Sequence, residues 1–276
     1  MRPRLLDLFC GSGGVAMGYS RAGFDVFGVD NDLKPLRRYP FPHVCADALE
    51  YLAEHWQEYD TIHASPPCQG YSIMHNLPWL RDREYPLLIL PTMKILEHIG
   101  KPYVLENVMG ARYGSKVLAK RRLEAHGLKA HYLCGAMFQR PFYRHRLFAT
   151  NWLWLAPEHP KHVQIIGGQK ANQSRRGETF AFSPAEDARG IESWPNRREY
   201  NKGLSGVLSL TPPGNLANWQ DGAQANGVGI DHAKGWRLAA EMMGIDWMDR
   251  DGLTQAIPPV YTEHIGRQLM DLLAKA

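Results

Sequence analysis

From Arg4 to Ala149 short apolar runs alternate with stretches of helical character, and this alternation restricts the choice of fold more than any other feature of the chain. Parallel neighbours need a long crossover, usually a helix, so the pattern reads as an α/β chain with a doubly wound, mostly parallel sheet. The expected strands are Arg4 to Phe9, Asp25 to Val29, His43 to Ala46, Tyr59 to Ala64 and Pro102 to Leu105. Val15 to Ala22 and Pro86 to Ile99 read as helices, followed by a basic helix to His126 and a strand pair through Ala149. Between the first strand and helix lies the turn Cys10-Gly11-Ser12-Gly13-Gly14. Glycines there let backbone approach a ligand at the positive end of the helix, although such turns also serve simple packing. Asp30, at the end of the second strand, stands where an acid accepts hydrogen bonds from ribose hydroxyls, so turn and acid together read as a nucleoside site. Asp47 follows the third strand as a helix N-cap, with Glu50 placed to complete a capping box.

The stretch Ser65-Pro66-Pro67-Cys68-Gln69-Gly70-Tyr71-Ser72 follows the fourth strand, so its proline-stiffened turn belongs at the carboxyl end of the sheet, where open α/β sheets bind ligands. A cysteine on a rigid loop is either a small buried hydrophobe or, with cationic neighbours to lower its pKa, a nucleophile. A zinc deaminase would need a second cysteine three positions on and a His-x-Glu upstream. Position 71 is Tyr and the chain has no His-x-Glu, which excludes that class. Amino-directed nucleic-acid methyltransferases carry an aromatic after Pro-Pro; Cys68 in its place suits covalent attack rather than stacking. The next apolar strand ends in Glu106-Asn107-Val108, 38 residues beyond Cys68. Tyr143-Arg144-His145-Arg146-Leu147-Phe148 alternates so that both arginines would point the same way from a strand.

Pro-Pro-Cys-Gln, Glu-Asn-Val and Arg-x-Arg in this order, with Asp7-Leu8-Phe9-Cys10-Gly11-Ser12-Gly13-Gly14 ahead of them and Ile257-Pro258-Pro259 near the end, resemble the DNA (cytosine-5) methyltransferases. The likeness covers roughly residues 4–150 and 233–275. It implies a Rossmann-like methyltransferase fold, S-adenosylmethionine as methyl donor, double-stranded DNA as partner and no metal. It also implies that Cys68 adds to C6 of a cytosine turned out of the duplex, that Glu106 bonds at N3 and the 4-amino group, that Arg146 holds O2, and that Arg144 orients the loop or lowers the thiol pKa. A buried salt bridge is the plainer reading of Glu106. The residues implied to hold the donor are Phe9, Gly11, Gly13, Asp30, Asn31, Asp47, Ala48, Pro67, Leu87, Gln255 and Ile257. Two positions depart from the family pattern: Phe142 stands where Gln precedes the Arg-x-Arg motif, and Thr254-Gln255 stands for Gly-Asn beside the donor. A longer amide at Gln255 either fills space or accommodates a substituted sulfonium.

Residues 1–151 are expected to form the catalytic and cofactor-binding domain, 152–235 an irregular target-recognition lobe, and 236–276 a segment that completes the catalytic domain. In the lobe, Arg175, Arg176, Arg197 and Arg198 are candidate base or phosphate readers. Gly235 to Gly244, with Arg237, resembles a structural motif of the family, and Leu253 to Leu273 should form a helix packing back beside the first strand. Net charge is only +4, yet nine Lys or Arg against the single acid Glu124 give +8 between Arg112 and Arg146. Such a segment either neutralises phosphates or is a solvated helix face. An apolar share of 44% with 22% charged residues, no apolar run of membrane length and no signal-peptide core point to a soluble protein of the cytosol, and the resemblance implies a monomer in the cytoplasm of a bacterium or phage-infected host. Four cysteines without paired spacing indicate neither a disulfide frame nor a zinc site. Two readings compete with DNA methylation: the tRNA-directed branch of the superfamily, whose usual Cys-Phe-Thr is absent, and a silent DNA-binding regulator, which intact Cys68, Glu106 and Arg146 oppose.

Overall fold

The computed structural model describes residues 1–69, 85–108, 127–140, 144–160, 240 and 243–275. Seven strands form one sheet: β1 (Arg4–Leu8), β2 (Asp25–Asp30), β3 (His43–Cys45), β4 (Thr61–Ala64), β5 (Tyr103–Val108), β6 (Lys129–Leu133) and β7 (Arg146–Thr150). Their order is β3-β2-β1-β4-β5-β7-β6. The first five are parallel, and β7 lies antiparallel between β5 and β6. The chain winds outward from β1 to β3 and then returns to β4 on the other side, which puts the topological switch between β1 and β4. The sheet is thus the mostly parallel, doubly wound one expected from the alternation, closed at one edge by a hairpin.

Six helices are described: α1 (Gly14–Ala22), α2 (Leu33–Leu36), α3 (Ala48–His55), α4 (Ile89–Ile99), α5 (Arg250–Gln255) and α6 (Pro259–Leu273). No helix among the described residues is long and apolar enough to cross a membrane. Strand period decides which residues meet which helices. Leu6, Leu8, Ile62, Ala64, Tyr103 and Leu105 share a core with Ala48 and Leu52 of α3 and Ile89, Met93 and Leu96 of α4. Each such fully buried aliphatic side chain stabilises the fold by about 1.5–3 kcal/mol. Leu5, Asp7, Thr61, His63, Val104, Glu106, Arg146 and Phe148 belong to the opposite face by register. There the ring of Phe148 meets Tyr261 of α6 edge-on, with centroids 6.2 Å apart.

On this second face α1 and α6 approach backbone to backbone. A Cβ on Gly18 would fall 2.0 Å from Thr262 Oγ1 and 2.2 Å from the Pro259 carbonyl oxygen, so only glycine permits the crossing. Thr262 Oγ1 then donates to the Val15 carbonyl at 2.9 Å. The expected single helix from Leu253 to Leu273 is broken at 256–258, because Pro258 and Pro259 cannot continue the ladder of α5, and Pro259 instead starts α6. α6 packs on α1 rather than directly beside β1. The helix expected from Pro86 begins at Ile89, which leaves Leu87 ahead of it. The strand expected from Tyr143 begins at Arg146, where pairing with β5 and β6 begins; Arg144 and His145 lie before the ladder.

Two compact units divide the chain: residues 1–133, 145–156 and 256–276 make one, and 134–144 with 157–255 the other. The sheet and the α1–α6 pair belong to the first. Within it, His264 and Gln268 of α6 grip Leu155, whose amide donates to Gln268 Oε1 at 2.8 Å and whose carbonyl accepts from Gln268 Nε2 at 3.0 Å. The lobe residues Arg175, Arg176, Arg197 and Arg198, the basic helix to His126, Phe142, Arg237 and the side chain of Thr254 lie outside the described residues.

Candidate active site

The site is built at the carboxyl ends of β2, β1, β4 and β5. After β1 the backbone turns through Phe9 (φ 59°), Gly11 (φ 54°) and Gly13 (φ 86°) into α1. Phe9 holds a left-handed conformation that costs a non-glycine residue on the order of 1 kcal/mol, and strain of this kind collects at ligand sites. A Cβ on Gly11 would meet nothing within 4 Å, so this stretch of main chain borders open space. Asp30 locks the turn: its Oδ2 accepts from the Gly11 amide at 2.9 Å and its Oδ1 from Asp32 at 2.9 Å. Each oxygen keeps a further lone pair, so the carboxylate can still accept from a diol. Asn31, next to it, is exposed. The carbonyl of Ile257 lies against Gly14, where a Cβ would come within 2.5 Å of it. The last motif is therefore seated on the start of α1.

Asp47 does cap a helix: Oδ1 accepts from Leu49 at 2.8 Å and from Glu50 at 3.0 Å. The described contacts hold no return bond from Glu50 to the Asp47 amide, so the expected capping box is half made, and Asp47 remains exposed. Ala48 is buried beneath it. Leu87, expected on a helix where the core is its default place, is instead 45% exposed. Gln255 is exposed at the end of α5.

The cysteine loop leaves β4 with Ser65 donating to the Leu8 carbonyl at 3.2 Å, which joins it to the end of β1. Pro66 is buried, Pro67 and Cys68 are half-buried and Gln69 is exposed. A second tie comes from β5: Asn107 Nδ2 donates to the Pro66 carbonyl at 2.9 Å, and its Oδ1 accepts from Val108 at 3.0 Å. The sequence drew attention to Asn107 only as part of a tripeptide; the structure makes it the strut between the cysteine loop and β5. Cys10, the other cysteine near this end of the sheet, is buried, and burial with Asp7 and Asp30 nearby pushes its thiol far up.

Glu106 is buried on β5 at 5% exposure, and Arg146 Nε lies 3.3 Å from its Oε1. The register pairs Val108 with Arg146 and Glu106 with Phe148, so acid and arginine are diagonal neighbours on one face. Arg146 Nη1 also donates to the His145 carbonyl at 2.8 Å. The salt-bridge reading of Glu106 is met, and a carboxylate held in place by a guanidinium at a strand end suits catalysis equally well. Arg144, in the other unit, is buried as well. Two of the nine cations in the basic segment are thus buried or nearly so.

Sequence reasoning missed a buried polar layer under the site. Asp7 is fully buried, and burial pushes its carboxyl well above the usual range; Tyr39 OH donates to its Oδ2 at 3.2 Å. Tyr39 reaches it across Gly28, where a Cβ would fall 2.4 Å from the ring. Beside Asp7 in the register sits His63, bonded to Tyr19 and Ser65. The signal was present as a histidine in the otherwise apolar, fully buried run Ile62 to Ala64.

The sequence profile of the C-5 cytosine-specific DNA methylases matches residues 3–150. The chain is 25% identical over 233 residues to the Type II methyltransferase M.AquIA of Picosynechococcus sp., covering 77% of this chain and 90% of that one. It is 33% identical over 128 residues to M.FnuDI of Fusobacterium nucleatum, where 44% of this chain meets 35% of the relative. Among solved structures it resembles a protein described as a DNA modification methyltransferase encoded within an E. coli prophage, with TM-score 0.56, 16% identity and 99% of both chains covered. S. pombe Dnmt2 follows with TM-score 0.50, 14% identity and 100% and 99% coverage. At those identities the structural likeness speaks for the fold, whereas the profile spans more than half the chain together with the cysteine loop, the acid strand and the Arg-x-Arg strand: the protein belongs to the C-5 cytosine-specific DNA methylases.

Proposed function

We propose that the chain moves a methyl group from S-adenosylmethionine to C5 of a cytosine turned out of double-stranded DNA, with Cys68 as nucleophile and Glu106, Arg146 and Arg144 as its supporting groups. The observation that carries the assignment of residues is the tie from Asn107 to Pro66, which couples the acid strand to the loop two residues before Cys68. C5 of cytosine is a poor nucleophile because the ring is aromatic. Addition of the Cys68 thiolate at C6 turns the ring into an enamine, and Glu106, protonated and donating at N3, neutralises the charge that develops there. The Nε of Arg146, 3.3 Å from Oε1, fixes that carboxyl in one rotamer and leaves the rest of the guanidinium to reach the O2 edge. Once C5 has taken the methyl, loss of its proton to a base breaks the C6–S bond, expels Cys68 as thiolate and restores the ring.

The residues present fit the donor. The backbone of Gly11 borders open space, Asp30 offers lone pairs at the neighbouring strand end, and Leu87 is exposed for contact with a ring. When bound, S-adenosylmethionine supplies an electrophilic methyl on sulfonium. Phe9, Gly13, Asn31, Asp47, Ala48, Pro67 and Ile257 complete the proposed cradle, and Gln255 is the further donor residue that the resemblance implies. Turning the base out costs roughly a few kcal/mol, which contacts with the extruded base must offset. We assign residues 1–151 and 236–276 to catalysis and 152–235 to target recognition.

Label transfer from tritiated S-adenosylmethionine tests the reading. Wild type should label duplex DNA and not tRNA, and Cys68→Ala should label neither. Label on tRNA, on neither acid with wild type, or on DNA with Cys68→Ala would overturn it.

A further inference from the structure

Three linked polar groups of the catalytic unit, two of them fully buried, have no part in the chemistry above. His63 is fully buried on β4, its Nδ1 2.9 Å from Tyr19 OH and its Nε2 2.9 Å from Ser65 Oγ. Tyr19 lies on α1, behind the glycine turn, and Ser65 is the residue that leaves β4 toward Cys68. A leucine or valine at position 63 would pack the strand without desolvating an imidazole, so the histidine is retained against its cost. Burial lowers its pKa to about 3, and the ring is neutral near pH 7. A neutral imidazole has one N–H and one lone pair, so the two bonds must run in one direction.

The tyrosine sets that direction. Tyr19 is fully buried, and His63 is the polar partner of its hydroxyl among the described residues. A stranded buried donor is rarer and costlier than an idle lone pair, so the phenol donates to Nδ1. Nε2 therefore carries the hydrogen and donates to Ser65 Oγ. With that lone pair engaged, the hydroxyl hydrogen of half-buried Ser65 turns away from the sheet interior. The Ser65 backbone amide donates to the Leu8 carbonyl at 3.2 Å, which holds the residue at the end of β1, three residues before Cys68.

We propose that Tyr19, His63 and Ser65 form a one-way hydrogen-bond relay that presents the Ser65 hydroxyl as a donor to the carboxylate of the methyl donor. The choice of carboxylate follows from the strand order. With the ribose at Asp30 on the end of β2, the amino-acid end of the nucleoside runs across β1 toward β4, and a hydrogen-bond donor there is complementary to an anion. Ser65 is the contact residue, and His63 and Tyr19 are positioning residues. The proposal rests on the donor assignment made above.

Calorimetric titration of the full chain with S-adenosylhomocysteine and with its decarboxylated analogue tests it. Ser65→Ala should weaken the first about tenfold and leave the second unchanged. Tyr19→Phe should weaken the first several-fold in wild type but add nothing on top of Ser65→Ala, a pattern that a purely structural tyrosine does not produce. Equal loss of both ligands, loss of neither, or the same Tyr19→Phe penalty in both backgrounds overturns the relay. Wild type that binds neither nucleoside overturns the donor assignment itself. In that case nitrogen-15 shifts of the imidazole, identified by their absence in His63→Gln, still judge the direction: neutral with the hydrogen on Nε2 is expected, and a hydrogen on Nδ1 or a cation at pH 7 contradicts it.

Discussion

Asn107→Ala is the substitution that probes how the sheet positions the nucleophile. The native amide donates to the Pro66 carbonyl at 2.9 Å from a site only 5% exposed, and Pro66 itself is buried. Removing it forfeits a bond worth about 1 kcal/mol and strands an acceptor at a cost of about 1–3 kcal/mol, roughly 2–4 kcal/mol together. For a chain of this size each kcal/mol lowers Tm by about 2–4 °C, so a fall of about 4–16 °C is expected. The larger effect is on rate. Cys68 lies two residues beyond the lost tie, and a displacement of about 1 Å from the attack geometry costs on the order of a hundredfold. Methyl transfer to duplex DNA under saturating donor should drop by about that factor, while the Kd for S-adenosylhomocysteine stays within about threefold, the signature of an interaction spent on the transition state. Wild-type turnover in a protein whose Tm has fallen would show that the loop does not depend on β5 for its placement. An unchanged Tm would show that the bond contributes nothing.

Glu106→Gln keeps the shape but leaves Arg146 facing an uncharged amide in a nearly buried site; kcat should fall about 10²–10³-fold with donor affinity retained, measured by label transfer. Gly11→Ala projects a methyl into open space, so the protein should fold with a loss near 1 kcal/mol from the left-handed φ, yet bind S-adenosylhomocysteine at least about tenfold more weakly. Gly18→Ala instead drives a methyl into Thr262 and the α6 backbone and should destabilise by about 3 kcal/mol or more on thermal melting, without a selective effect on binding. His63 makes stability acid-sensitive. Its folded pKa, about 3, lies below the ordinary 6.5, so the unfolded chain binds the extra proton and stability falls as pH drops below about 6.5 toward 3. From pH 6.5 to 5 this one group should remove about 2 kcal/mol, and His63→Gln should flatten the slope of Tm against pH over that window.

Much of the site was readable from residue order. Strand ends follow from where apolar runs stop, so the positions of the glycine turn, Asp30, Cys68 and Glu106 at one end of the sheet could be inferred without coordinates. Boundaries were less legible where pairing rather than propensity decides them. The strand expected from Tyr143 begins only at Arg146, where, among the described residues, pairing with β5 and β6 starts. The helix expected through Ala256 stops because two prolines remove its donors. Contacts between side chains distant in sequence were not legible at all: the Asn107 strut and the Tyr19–His63–Ser65 layer depend on β4 lying between β1 and β5 in the sheet, which no local pattern specifies.

The central claim is the transient bond from sulfur 68 to the pyrimidine. A pool of duplexes with 5-fluorocytosine at randomised positions, incubated with the protein and S-adenosylmethionine, should yield a complex that survives denaturing electrophoresis. Mass spectrometry should place it on the peptide holding Cys68, with one added methyl, and Cys68→Ala should form none. A preparation that methylates ordinary duplex DNA yet forms no such adduct, or forms it on another residue, would contradict the account.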